Sequence, residues 1–207
     1  MCRIFIEYSV PPDTGYRMLP AYLQEVYQIT DVARSFGYRS LSNGTELVGH
    51  VPHIAPEAWF HQRFAPLTER DIAILEAQLG LALPPALRIF YSHYNGLGLF
   101  AYELSLHGLR HTYERTGDAA WQPFDLADVN RYTRPRQKPA HHLLLSRYRS
   151  DGAGLYLNTS TGAVYRESAP PHSRSEHEWP SFETMLVAEV QRLALLFDEQ
   201  GRRYELC

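Results

Sequence analysis

The sequence predicts an α+β fold: a mainly antiparallel central sheet flanked by helices and closed by a C-terminal helix. Three observations carry this. Helical patterns fill residues 68–94, strand patterns punctuated by glycine turns fill residues 99–167, and one amphipathic pattern follows at 181–197. Helices first, strands next and a helix last favour hairpins over alternating crossover units.

The elements follow in order. Arg3–Val10 suits a strand that stops at Pro11-Pro12. Over residues 20–36, Tyr22, Leu23, Val26, Ile29, Ala33 and Phe36 fall near a 3.6-residue period, and Gly37 sits where such a helix ends. Residues 38–55 are mixed, with Asn43-Gly44 as a turn signal, and Pro56 is expected to open a short helix through Phe64. Thr68 caps the next helix and Asp71 can answer it; Ile72, Leu75 and Leu79 form its stripe and Gly80 ends it. Pro84-Pro85 starts another helix, with Leu87, Phe90, Tyr91 and Tyr94 inward and Asn95-Gly96 as its stop. Leu99–Leu109 alternates at Leu104 and Leu106, and residues 110–140 are rich in loops. His142–Tyr148, Leu155–Asn158 and Ala163–Glu167 read as strands joined by turns at 151–154 and 159–162. Residues 168–178 read as a polar loop. Ser181 then caps a long helix with Phe182, Leu186, Val190, Leu193 and Phe197 on one face.

A length of 207 residues suits one large domain that buries its own core. We divide it into an N-terminal extension, residues 1–65, packed on the same domain, and an α+β domain, residues 66–207. The 14 Tyr, 9 Phe and 3 Trp argue against disorder. A net charge of −3 lacks the basic excess of a nucleic-acid binder, so nucleic acid is an unlikely partner. Cys2 and Cys207 make no disulfide framework, and no apolar stretch has the length of a membrane span. A cytoplasmic location without membrane attachment is the expectation.

Charge is uneven in one place. Arg131, Arg134, Arg136, Lys138, Arg147 and Arg149 occur with no acid between them. The stretch suits a solvated loop, a protein contact or, less well, nucleic acid; Arg131, Arg134, Arg136 and Lys138 are the candidate partner-contact residues.

Recognisable chemistry is missing. His107 and His111 are four apart, but in a strand or turn region, and no His has a Cys at zinc-site spacing. No GxSxG elbow, phosphate-binding glycine loop or calcium-loop pattern occurs. The expectation is no catalytic residue, no metal, no cofactor and no small-molecule substrate.

Residues 66–98, PLTERDIAILEAQLGLALPPALRIFYSHYNGLG, carry a motif. A helix with a central Glu76 leads to Gly80, Leu83-Pro84, an aromatic helix with Phe90 and Tyr91, and Asn95-Gly96. Leu104–Arg110 then reads as a strand and turn, Asp151-Gly152 through Gly162 and Val164-Tyr165 as a hairpin, and Ser181-Phe182 as the start of a closing helix. In this order the motifs resemble the SUKH superfamily, which includes yeast cell-wall-assembly regulators and bacterial immunity proteins against polymorphic toxins. The resemblance covers roughly residues 66–197. It implies a SUKH-like binding scaffold whose motif residues are structural and whose contact surface varies among members. It further implies a protein partner: a cognate toxin neutralised by direct binding or, alternatively, an endogenous partner of a regulatory or scaffolding protein.

Overall fold

A computed structural model of the chain describes residues 19–169 and 174–204. The strand expected at Arg3–Val10 and both cysteines lie outside them. Helix α1 (Ala21–Asp31) continues as a 3-10 turn to Phe36. It buries Leu23 and Val26, and the Thr30 hydroxyl donates back to the Val26 carbonyl at 2.8 Å. Strands β1 (Tyr38–Ser40) and β2 (Glu46–His50) form a hairpin around Asn43-Gly44, where the Asn43 Oδ1 accepts from the Thr45 N–H at 3.0 Å.

Residues 59–63 are a strand and not part of the helix expected from Pro56 to Phe64. Strand β3 (Trp59–Arg63) lies between β2 and the strand at 97–99, and Phe60 through Arg63 are all buried. A strand covered on both faces loses the two-residue alternation that would mark it. Pro56 sits in the turn before it.

Helix α2 (Glu69–Leu79) starts at a reciprocal cap: Thr68 Oγ1 accepts from the Asp71 N–H at 3.2 Å, and Asp71 Oδ2 accepts from the Thr68 N–H at 3.0 Å. It ends on Gly80 in the left-handed region, φ 68°. Helix α3 (Pro85–Tyr91) begins with Pro85 at its first position and buries Leu87, Phe90 and Tyr91. It stops at Tyr91, earlier than Asn95-Gly96, and of that pair only Gly96 takes a positive φ, 93°.

Strands β4 (Leu97–Leu99) and β5 (Leu104–Leu106) are joined through Phe100, Ala101 and Tyr102, with φ of 53°, 53° and 67°. Three successive non-glycine residues in this region cost about 1–2 kcal/mol each. Surrounding bonds hold the turn: Ala101 N–H to the Phe60 carbonyl at 2.8 Å, Phe100 N–H to His61 Nδ1 at 3.3 Å, and the Arg149 guanidinium to the Ala101 carbonyl at 3.1 Å.

Strands β1 to β5 form one antiparallel sheet in chain order. Strands β6 (His142–Arg147), β7 (Gly154–Asn158), β8 (Val164–Glu167) and β9 (Ser175–Trp179) form a second. An antiparallel bridge between Leu104 and Tyr148, and a bond from the His107 N–H to the Leu145 carbonyl at 3.0 Å, join the two edge to edge. The expected central sheet is therefore two antiparallel sheets with a seam. Strand β9 stands within the expected polar loop. Ser175 through Glu178 are exposed, so no buried face announces it; backbone pairing to β8 holds it.

Helix α5 (Phe182–Ala194) is capped by Ser181, whose Oγ accepts from the Thr184 N–H at 3.2 Å. Phe182, Leu186, Val190 and Leu193 are buried; Phe197 lies past the helix end, its ring 5.2 Å from Phe60 and 5.7 Å from Phe100. Alternate sheet positions, Leu97, Leu99, Leu104, Leu106, Leu143, Leu145, Leu155 and Leu157, share one core with Leu23, Val26, Ile72, Leu75, Leu87, Phe90 and Val190 from the helices. Residues 110–140 carry a short helix, α4 (Leu126–Asp128), that runs into a π turn over Val129–Thr133. From that turn Asn130 reaches β6, accepting from the Leu144 N–H and donating to its carbonyl, both at 2.9 Å.

Candidate functional site

The motif residues build turns, caps and core. Glu76 Oε1 accepts from the Leu83 N–H at 2.9 Å and from the Arg88 guanidinium at 2.7 Å. These bonds, Arg88's foremost, hold its carboxyl below the usual carboxylate range. They also tie the end of α2 to the Leu83-Pro84 start of α3. Asp151 Oδ1 accepts from the Ala153 N–H at 2.9 Å in the β6–β7 turn, where Gly152 takes φ 69°; Gly162 takes φ 82° in the next turn. Val164 and Phe182 are core residues and Ser181 is a cap.

Asn95 does more than end a helix. Its amide donates to the Leu109 carbonyl and its oxygen accepts from the Leu109 N–H, both at 2.7 Å and buried. The side chain thus pairs with Leu109 as a strand would. A Cβ on Gly96 would stand 2.5 Å from the Leu106 carbonyl oxygen, and one on Gly108 would stand 2.3 Å from Asn95 Oδ1. Asn95→Ala orphans both Leu109 groups, so we expect a loss of about 2–4 kcal/mol in denaturant unfolding. A loss under about 1 kcal/mol would show that Asn95 is a turn residue only.

The basic stretch divides into two kinds of residue. Arg134 donates to the carbonyls of Lys138 at 3.0 Å and Pro139 at 2.7 Å, closing its own loop. Lys138 pairs with Glu167 and lies 4.8 Å and 5.2 Å from the ring centres of Tyr156 and Tyr165. These two are turned to internal structure. Arg131 and Arg136 remain exposed.

Segment 110–136 also presents aromatic rings to solvent. Tyr113 is 66%, Phe124 53% and Tyr132 75% exposed. Arg110 lies 5.1 Å over the Tyr113 ring and Arg131 5.8 Å over Tyr132, and the Tyr113 hydroxyl donates to Asp128 at 2.7 Å. Tyrosine and arginine are the residue types enriched at protein contacts. Sequence reading singled out only the charges here; the tyrosines gave no signal because nothing in their spacing shows that they face outward.

Two concave features complete the surface. A groove of about 570 Å³ runs between α1 and the end of α5, with Ile29, Phe36 and Phe60 among its walls and Glu25 and Glu199 at its rim. A cavity of about 470 Å³ opens at the sheet seam, walled by Tyr102, Phe124, Val129 and Tyr148 with His107, Arg147 and Arg149. Among the described residues, no group of three or more His, Cys, Asp or Glu is placed to hold a metal ion. No helix among them is long and apolar enough to cross a membrane.

Antiparallel sheets, a capped helix pair joined through Leu83-Pro84, the Asn95 brace and a closing helix define an α+β scaffold of one class. The chain belongs to the SMI1 / KNR4 family (SUKH-1), which matches it over residues 66–188. That family includes immunity proteins and cell-wall regulators and is not generally enzymatic. No curated protein matches the chain. Strands β1 to β3 and helix α1 precede the matched span, and β3 pairs with β4 inside it. The strand that opens the Leu104–Arg110 motif is β5 (Leu104–Leu106), the fifth described strand.

Proposed function

We propose that this chain binds another protein, and that it acts as an immunity protein which neutralises a cognate toxin domain by direct contact. One observation carries the placement of the contact: Tyr113, Phe124 and Tyr132 stand exposed on one segment with Arg110 and Arg131 against two of the rings. Large apolar rings left in water, next to guanidinium groups, are what a partner would cover. The motif residues are committed to the scaffold, so the contact surface is free to differ between members of the family.

The test is co-expression with the product of the adjacent gene. We expect that product to be toxic alone, to be tolerated with the wild-type chain and to co-purify with it. Tyr113→Ala combined with Tyr132→Ala should weaken the complex by about ten- to a hundred-fold while leaving thermal unfolding near wild type. A non-toxic neighbour that does not co-purify would overturn the immunity reading. Undiminished binding by the double variant would move the contact elsewhere.

A further inference from the structure

The cavity at the sheet seam has a chemistry that protein contact at the neighbouring tyrosines does not use. It lies where the residue after β5, His107, meets the end of β6, Arg147, and Phe124, Val129 and Thr133 cover it. The walls are largely apolar or aromatic, and the polar residues are Ser105, Thr133, His107, two arginines and the tyrosines Tyr102 and Tyr148. Arg147 and Arg149 both line it, no carboxylate does, and neither arginine forms an ion pair among the described residues. Arg147 reaches only the Thr133 carbonyl, at 3.4 Å, and Arg149 the Ala101 carbonyl, at 3.1 Å.

Two of its polar atoms are buried without any partner: His107 Nδ1 and Arg147 Nε. The His107 residue is only 6% exposed. Unpaired buried nitrogens are rare, and both belong to residues that line this one cavity; Arg147 Nε is a donor, and His107 Nδ1 a donor or an acceptor according to the tautomer. A guanidinium presents paired N–H groups that suit a planar carboxylate. The walls, Tyr102, Phe124, Val129 and Tyr148, suit an apolar body, and the volume lies in the range of small-molecule sites.

We propose that this cavity binds a small organic carboxylate with an apolar or aromatic body, its carboxylate on Arg147 with His107 and Arg149 beside it. The strained turn at Phe100–Tyr102 serves the same site, since it sets the Tyr102 ring in the wall and offers the Ala101 carbonyl that positions Arg149. This inference does not rest on the immunity reading, because the purified chain alone tests it.

The probes are 4-phenylbutyrate, its primary amide and 4-phenylbutylamine, titrated calorimetrically against the full chain, with inorganic phosphate as a fourth arm. We expect saturable binding of the carboxylate, with the amide and the amine weaker by about ten-fold or more, the loss of one charge-assisted hydrogen-bonded pair. Phosphate, which brings charge without an apolar body, should also bind more weakly than the carboxylate. Arg147→Met and Arg149→Met should each weaken the carboxylate, and its saturation should shift the ring-nitrogen resonances of His107 in wild-type protein. If Arg147→Met does not fold, the exposed-residue variant Arg149→Met and the His107 resonances decide. Equal binding of amide and carboxylate, tighter binding of phosphate, or unmoved His107 resonances at saturation would overturn the proposal.

Discussion

Arg63→Met is expected to destabilise the chain by about 3–5 kcal/mol, the cost of breaking a buried ion pair from one side. The Arg63 side chain is 2% exposed at the end of β3. Its guanidinium donates to Asp31 at 3.0 Å, Glu46 at 3.3 Å and the Thr30 hydroxyl at 2.9 Å, and lies 4.1 Å over the Tyr27 ring. One cation therefore ties α1, β2 and β3 together. A methionine of similar length fills the space but takes the buried cation from Asp31, which keeps only the Arg34 guanidinium at 3.2 Å, and from Glu46. Because β3 also pairs with β4, the loss should appear as one cooperative transition for the whole chain. Two separate transitions in denaturant, with only the first shifted, would show that residues 19–63 unfold independently. The double change Arg63→Met with Asp31→Leu should recover part of the loss, since it removes the carboxylate beside the methionine, although Arg34 then loses its partner.

The second large effect is acid lability above the pH at which carboxylates titrate. His107 is held down to about 4, first by burial and then by the charge of Arg147. His61 is held well below its ordinary 6.5, by burial and then by Arg63, and its Nδ1 must stay unprotonated to accept from the Phe100 N–H. In the unfolded chain both return to about 6.5. Between pH 6.5 and 4 the unfolded state therefore binds more protons, and stability falls as pH falls. The stabilisation is complete above 6.5 and lost progressively down to 4. His107 alone accounts for about 3 kcal/mol at 1.36 kcal/mol per pH unit of separation, and His61 adds loss of the same sign. Chemical denaturation at pH 7.5, 6, 5 and 4.5 should show this decline, with protons taken up on unfolding chiefly by His61 and His107 and in smaller part by His93 and His142, which burial also lowers. His61→Gln combined with His107→Gln should flatten the profile between pH 6.5 and 4.5 while lowering stability at pH 7.5. An unchanged slope in the double variant would assign the decline to other groups.

What could be read from the sequence was local. Thr68 with Asp71, Gly80, Pro85 and Ser181 act through bonds within a few residues, so their roles follow from spacing. The alternation of Leu104 with Leu106 placed one strand because one face of it meets the core, and the turns at 151–154 and 159–162 placed Leu155–Asn158 between them. Segments whose environment is not local were misread. Strand β3 lacks alternation because both its faces are buried, and β9 lacks it because Ser175 through Glu178 all face solvent. The turn at Phe100–Tyr102 contains none of the residues that favour left-handed angles, and bonds to Phe60, His61 and Arg149 hold it there.

The same division runs through the candidate site. The run of six bases was visible in the sequence, but composition treats them alike. Tertiary packing separated them: Arg134 closes a loop, Lys138 pairs with Glu167, Arg147 and Arg149 line a cavity, and Arg131 and Arg136 stay outside. The sequence by itself determined the class of fold, because caps, turns and periodic burial are short-range. Only the tertiary structure decided which tyrosines face water and which charges lack a partner, because both depend on residues brought together from far along the chain.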